Sequence, residues 1–338
     1  MTNMREQILS SMGPAMKCTV FDKDIDKTSF SHSQIQVGLE QDDHNYNWNK
    51  RIVDYECKFD QQENYDNSKP TAIIPIRDCG EIITMCMESM KKTNTFDLIN
   101  VIIVDDRSTE DIEKIANKYQ VSYLRIDHKS TFNFSMLCNL AAKVCHDLGN
   151  TQVIMWNADL YVSDKVNLER LLEKHNKNNA SISGTKLLYP PLEYSTSNNE
   201  DTENILTYFP QMAGRWRGTI QFGGDAWMQT NGPINSSPIH DKRFHLPQEA
   251  DVDRSARFVT GAMQVIQLDK FVEIGGYNPS LEKNFQDVDI CAHIGDVWYF
   301  GKDIEFYHDE SPSFQKHNNK QGPQIESDHV LYGLLNNG

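Results

Sequence analysis

Between Thr71 and Asp159, short apolar runs rich in β-branched residues alternate with stretches of helical periodicity. No other feature of the sequence constrains the fold as much. The runs Thr71–Ile76 and Asn100–Val104 lack the polar alternation of a half-exposed strand. They are expected as strands buried on both faces. Val121–Arg125 and Gln152–Trp156 are further strand candidates. Between them, Glu81–Lys92, Asp111–Tyr119 and Phe134–Leu148 read as helices, the first with Ile82, Met85, Cys86 and Met90 at helical spacing. Thr109 is expected to cap the second. Strand and helix in turn at this spacing predict βαβ units around a mostly parallel central sheet flanked by helices, an α/β fold. Ligands of such sheets bind beyond the carboxyl ends of the strands. The residues there are Arg77 and Asp78, Asp105 and Asp106, and Asn157 and Asp159.

Those strand ends are acidic, and so is the whole chain, with a formal net charge of -15 over 338 residues. Such a charge repels polyanions, which argues against nucleic acid or anionic lipid as the main partner. An anionic substrate needs a local remedy, either a bound metal or a few placed Lys and Arg. No G-x-G-x-x-G follows the first strand and no G-x-x-x-x-G-K-[ST] occurs. A dinucleotide dehydrogenase or a P-loop enzyme would need those close backbone approaches to phosphate. Carboxylates cannot hold phosphate directly, but they can hold a divalent cation that does. Asp159 is the natural candidate for that task.

Outside this region the pattern weakens. Residues 1–69 are polar and read as an N-terminal extension or small subdomain, with a short strand-like piece at Ile52–Glu56. Asp22, Asp24 and Asp26 resemble the start of a calcium loop, but Lys27 and Ser33 stand where its glycine and bidentate Glu belong. The main domain is expected over residues 70–315, with a nucleotide-binding half at 70–165 and an acceptor and catalytic half at 166–315, followed by a tail at 316–338. Within the second half, 189–253 is an excursion rich in Gly, Pro, Asn and Trp, after which Phe258–Gln267 reads as a strand and Asp269–Ile274 as a short helix. Seven cysteines, an odd number without a C-x-x-C pair, suggest reduced, buried thiols. No leader pattern and no run of about 20 apolar residues is present, so a cytoplasmic location is expected.

A series of motifs in order resembles family 2 glycosyltransferases of the GT-A (Rossmann-like) fold. They are Ile73-Ile-Pro-Ile, Val104-Asp-Asp-Arg-Ser-Thr109, Phe132-Asn-Phe-Ser with Asn139, Trp156-Asn-Ala-Asp159, and a second half with Val259-Thr-Gly-Ala262, Gly275-Gly-Tyr277, Phe285-Gln-Asp-Val-Asp-Ile-Cys291 and His308. The ordering is especially similar to the rhamnosyltransferase-like and galactofuranosyltransferase-like branches. The resemblance implies that Asp106, with Asp105, Pro75, Arg77 and Asn157 nearby, meets the donor nucleotide. It also implies that Thr260, Gly261 and Ala262 line the sugar pocket, that Asp159 and His308 hold a divalent metal, and that Asp287 is the general base with Asp289 supporting its loop. Two positions depart from the family pattern: Asn157 replaces the first carboxylate of the D-x-D motif, and Gln286 replaces the Glu before the base.

The chemistry that follows is a single displacement. A nucleotide diphosphate leaves well only when its developing charge is neutralised, which a metal on Asp159 and His308 would do. An oxygen-plus-imidazole site favours Mn²⁺ over Mg²⁺. One base and no nucleophile imply inversion, with a UDP- or dTDP-sugar as donor and a hydroxyl of a glycan or glycoconjugate as acceptor. Trp216 and Trp227 are candidates for an acceptor platform, or alternatively anchors of a long loop. Two other readings compete: a GT-A-fold protein that binds nucleotide or glycan with little or no turnover, motivated by Asn157 and Gln286, and a sugar-phosphate nucleotidyltransferase. The latter wants a glycine-rich loop after the first strand that Pro75–Gly80 does not provide.

Overall fold

A computed structural model describes residues 35–37, 53–129, 131–194, 216–229, 236–279 and 281–309. Cys18, the Asp22–Asp26 segment, Arg215, Ser311, Ser313 and the expected tail at 316–338 lie outside the described residues.

The first half alternates as its apolar pattern dictates. Strand β1 (Ile35–Val37) pairs with β2 (Val53–Asp60), and β3 (Thr71–Ile76), helix α1 (Gly80–Lys92), β4 (Asn100–Asp105), α2 (Ile112–Tyr119), β5 (Ser122–Asp127), α3 (Phe134–Asp147) and β6 (Gln152–Trp156) follow. Every residue of β3 and β4 is buried, because both faces of these strands are covered. Asp111, not Thr109, caps α2, its side chain accepting from the Lys114 N–H. Thr109 is occupied elsewhere: its N–H and hydroxyl both donate to Asp78.

The second half adds β7 (Leu160–Tyr161), α4 (Lys165–Lys177), β8 (Ile182–Leu188), β9 (Ile220–Phe222), the hairpin β10 (Asp225–Gln229) and β11 (Ser236–His240), β12 (Asp253–Ser255), β13 (Met263–Gln267), α5 (Leu268–Glu273), α6 (Gln286–Ile294) and β14 (Val297–His308). The strand expected over Phe258–Gln267 is shorter, because residues 258–262 leave the sheet. One mixed sheet runs in the order β1-β2-β5-β4-β3-β6-β13-β8-β14-β12. Its core, β5-β4-β3-β6, is parallel, and β13 enters antiparallel between β6 and β8. Helix α3 packs on β3, β4 and β6, while α4 packs on β8 and β14. The expected α/β architecture, a mostly parallel core flanked by helices, is present.

Strand order reverses on either side of β3: the chain proceeds outward to β4 and β5, then returns to place β6 on the other flank. Crevices at such a reversal are where open α/β sheets bind ligands. Pairing of β3 with β6 ends at Ile73 and Met155, so the two strands have parted at Pro75. A proline is tolerated there because the ladder toward β6 no longer needs its N–H.

Candidate active site

Each sequence-predicted strand end faces a distinct environment. Asp105 and Asp106 end β4 with fully buried side chains. Asp105 accepts from the Tyr123 hydroxyl at 2.6 Å, from Arg125 Nη1 at 3.0 Å and from the Ser108 N–H at 2.8 Å. Asp106 lies 2.6 Å from His128 Nε2, 3.4 Å from Arg107 Nε and 3.8 Å from Arg77 Nη1. Two buried carboxylates so close together need polar and charged partners of this kind, since an unpaired buried charge is costly. The Arg77 and Arg107 guanidiniums are partly exposed, so the rim of this corner is cationic even though the chain is strongly acidic.

At the end of β6, Asn157, Asp159 and His308 converge. The His308 Nε2 lies 3.3 Å from Asp159 Oδ1 and 3.4 Å from Asn157 Nδ2. The pairing of β14 with β7 creates this meeting: His308 stands opposite Leu160, directly after Asp159. Two ligands each about 2.1 Å from an octahedral ion lie about 3 Å apart, so this carboxylate and imidazole are spaced as neighbours on one cation. Among the described residues, no group of three or more His, Cys, Asp or Glu side chains is gathered to hold a metal. A cation here would therefore have two ionisable protein donors, the Asn157 amide, and whatever its ligand supplies.

The third part is a loop. Residues Thr260, Gly261 and Ala262 leave the sheet just before β13, and the Asn157 N–H donates to the Ala262 carbonyl at 3.0 Å. The Gly261 N–H donates to Asp287 Oδ2 at 2.8 Å, and the Val288 N–H reaches the other oxygen at 2.9 Å. A β-carbon at Gly261 would stand 3.2 Å from the Asp287 β-carbon, so any side chain here would press on Asp287. Asp159, Asn157, Ala262, Gly261 and Asp287 are thus joined by short backbone and side-chain links across two halves of the chain.

Asp287 occupies the first turn of α6, which starts from Phe285 in a left-handed conformation (φ 64°). Burial raises the Asp287 pKa above the usual carboxylate range, opposed by the bonds from Gly261 and Val288. Asp289, one residue beyond Val288, is pushed up to about 6 by burial, with His293 opposing. Its N–H closes the turn onto the Phe285 carbonyl. Trp216 is buried, edge-on to Tyr189 with Arg217 over its ring, whereas Trp227 is half-buried against Phe258 under Arg257. Trp298 lies at the opposite end of β14 from His308 and stacks on Phe300.

Several residues that shape the site escape a reading of strand ends and motifs. Gln264 donates to the Val259 carbonyl at 2.7 Å and accepts from the Tyr277 hydroxyl, holding the loop before β13. Its signal was a polar residue inside the apolar run Met263–Ile266. His128 directly follows β5, and the strand-end rule extended by one strand would have found it. Asn139 was quoted within a motif, but its task is visible only in three dimensions: it exchanges two 2.8 Å hydrogen bonds with the backbone of Tyr277.

Residues 71–237 match the family model described as Glycosyl transferase family 2. The matched span ends before Thr260–Ala262, Asp287 and His308. No curated protein matches the chain in sequence. Among solved structures, S. aureus TarS 1-349 is similar at 13% identity and TM-score 0.46, over 80% of this chain and 71% of that one. GalNAc-T7 with UDP, GalNAc and Mn2+ is similar at 13% identity and TM-score 0.49, over 74% of this chain and 46% of that one. The mannosyltransferase PcManGT from Pyrobaculum calidifontis, in complex with GDP-Man and Mn2+, is similar at 11% identity and TM-score 0.44, over 81% and 74%. At these identities the likeness is one of chain path, and substrates do not transfer with it. Among the described residues, no helix is long and apolar enough to cross a membrane.

Proposed function

We propose that this chain is an inverting glycosyltransferase of family 2 that moves a sugar from a nucleotide-diphosphate donor to a hydroxyl of a glycan acceptor. The observation that carries the reading is the linked path from Asp159 and His308 through Asn157 and Ala262 to Gly261 and Asp287. It sets the Asp159–His308 pair and the Asp287 carboxylate on the two sides of one loop, which supports reading the one as cation-holding and the other as a base. A raised pKa suits Asp287 to accept a proton from an attacking hydroxyl, since a base matched to its task transfers protons efficiently. The Gly261 and Val288 N–H groups fix its orientation. No second carboxylate is needed as an acid, because the leaving group is a diphosphate rather than a sugar hydroxyl.

Asp159 and His308 are the residues that would hold a divalent cation, with Asn157 beside them, and Mn²⁺ suits their mixed donor set better than Mg²⁺. When bound, such an ion neutralises the charge that develops on the departing diphosphate. The partly exposed Arg77 and Arg107 would meet the nucleotide beyond β3 and β4, with Pro75 at the opening of the crevice. Asp105 and Asp106 then act on the nucleotide through the cations that they hold. A second reading, a protein of the same fold that binds nucleotide with little turnover, is favoured by Asn157 and Gln286, which each remove a carboxylate from the site.

Calorimetric titration of UDP, dTDP and GDP with and without Mn²⁺, together with a donor-hydrolysis assay, tests both readings. Metal-dependent nucleotide binding with release of free sugar is expected. Binding without any turnover across donors would establish the second reading. Absence of nucleotide binding would overturn both.

A further inference from the structure

His128 sits immediately after β5 with its side chain fully enclosed, its ring tilted on Tyr55 at 5.3 Å between centroids. It makes two contacts toward the proposed donor site. The ring Nε2 is 2.6 Å from Asp106 Oδ1, and the His128 carbonyl accepts from Arg107 Nη1. Asp106 Oδ2 in turn faces Arg77 Nη1 at 3.8 Å. One histidine therefore orients both guanidiniums at the rim: Arg107 through its carbonyl and Arg77 through the carboxylate that its ring holds. Arg107 is itself in a left-handed conformation (φ 45°), which a non-glycine residue keeps only where its surroundings hold it.

The position in the sheet says which part of a ligand this assembly meets. Strands β4 and β6 are separated by β3, about 10 Å at the spacing of neighbouring strands. A diphosphate held at Asp159 and His308, beyond β6, leaves its nucleoside to extend across the ends of β3 and β4. Resting on the reading of the site as a nucleotide-sugar pocket, we propose that His128 is the positioning residue of the nucleoside subsite. It holds Asp106 and through it the guanidinium rim, without touching the diphosphate corner.

The experiment compares His128→Gln with His128→Asn. The glutamine amide extends far enough to replace the Nε2–H, whereas asparagine stops one bond short. Two probes are titrated with Mn²⁺: inorganic pyrophosphate, and whichever of UDP, dTDP or GDP binds the unaltered protein most tightly. His128→Asn should weaken the nucleoside diphosphate about tenfold or more, the order of losing one close polar contact to a buried carboxylate. It should leave pyrophosphate within about twofold, and His128→Gln should restore most of the nucleotide affinity. Equal nucleotide binding by the asparagine variant, or a parallel loss of both probes, overturns the positioning role while the nucleotide-sugar reading stands. If the unaltered protein binds pyrophosphate but none of the nucleotides, or neither probe, the reading itself falls and takes this inference with it.

Discussion

At the scale of single residues, the proposed chemistry concentrates at Asp287. Its carboxylate is oriented by two backbone N–H groups and raised in pKa by burial, so the deprotonated form that the proposed base requires costs stability. Asp287→Asn should lower the transfer rate by about 10²–10⁴-fold, the usual contribution of general-base catalysis. Nucleotide affinity should be unchanged and the melting temperature equal or higher. Steady-state kinetics, calorimetric titration and thermal melts together check this. In the unaltered enzyme, kcat/KM should fall on the acid side through a limb lying above the ordinary carboxylate range, because burial moves the group upward. A limb at the position of an exposed aspartate would remove Asp287 from the role of base.

At the scale of elements, the amino-terminal end of α3 acts as a clamp on the segment that leads to α6. Asn133 caps α3 through its side-chain oxygen and donates to the Pro279 carbonyl at 2.8 Å. Ser135 donates to the Leu281 carbonyl, and the Phe134 N–H to the Glu282 carbonyl at 2.7 Å. Asn139 holds both backbone groups of Tyr277. These bonds bridge nearly 150 residues of sequence, since Asn133 and Pro279 are 146 positions apart. Asn139→Leu strands a buried N–H and a buried carbonyl, each costing about 1–3 kcal/mol. Denaturant unfolding should show a loss of about 2–5 kcal/mol, with transfer slowed more than nucleotide binding is weakened. The helices and strands of the first half were legible from periodicity, and so was the candidate site at their ends. This clamp was not, because a buried asparagine carries no periodic signal and its partners are backbone atoms that any residue could supply.

At the scale of the whole molecule, one histidine far from the proposed chemistry sets an acid limit. His175 in α4 is fully buried, bonded to the Ser183 hydroxyl at 2.8 Å and to Gln267 Nε2 at 3.2 Å, where β8 and β13 meet. Burial lowers its pKa to about 4, whereas an unfolded histidine titrates near 6.5. The unfolded chain thus binds more protons between about pH 6.5 and pH 4, and stability is lost as pH falls through that window. Relative to a His175→Gln variant, the unaltered protein should lose about 2 kcal/mol between pH 7 and pH 5 in denaturant titrations. A constant difference between the two proteins across this range would show that His175 is not held neutral. The buried thiols act differently: burial pushes Cys57 and Cys145 up to about 12, so neither ionises in this range.

By itself the sequence determined the alternation of buried strands and amphipathic helices, and therefore the parallel core and the place where its ligands must bind. It did so because burial on both faces demands unbroken apolar runs, and because polar residues at strand ends have no place in that core. It also marked Asp106, Asp159, Asp287 and His308 as the residues to watch. Tertiary structure alone decided what those residues face. It spent the carboxylates of Asp105 and Asp106 on Arg125 and His128 from β5 and its flank, brought His308 beside Asp159 through the β7–β14 pairing, and set Asp287 against a glycine backbone 26 positions away. Such contacts join groups that are remote along the chain, and no local pattern records which distant partner a buried charge will find.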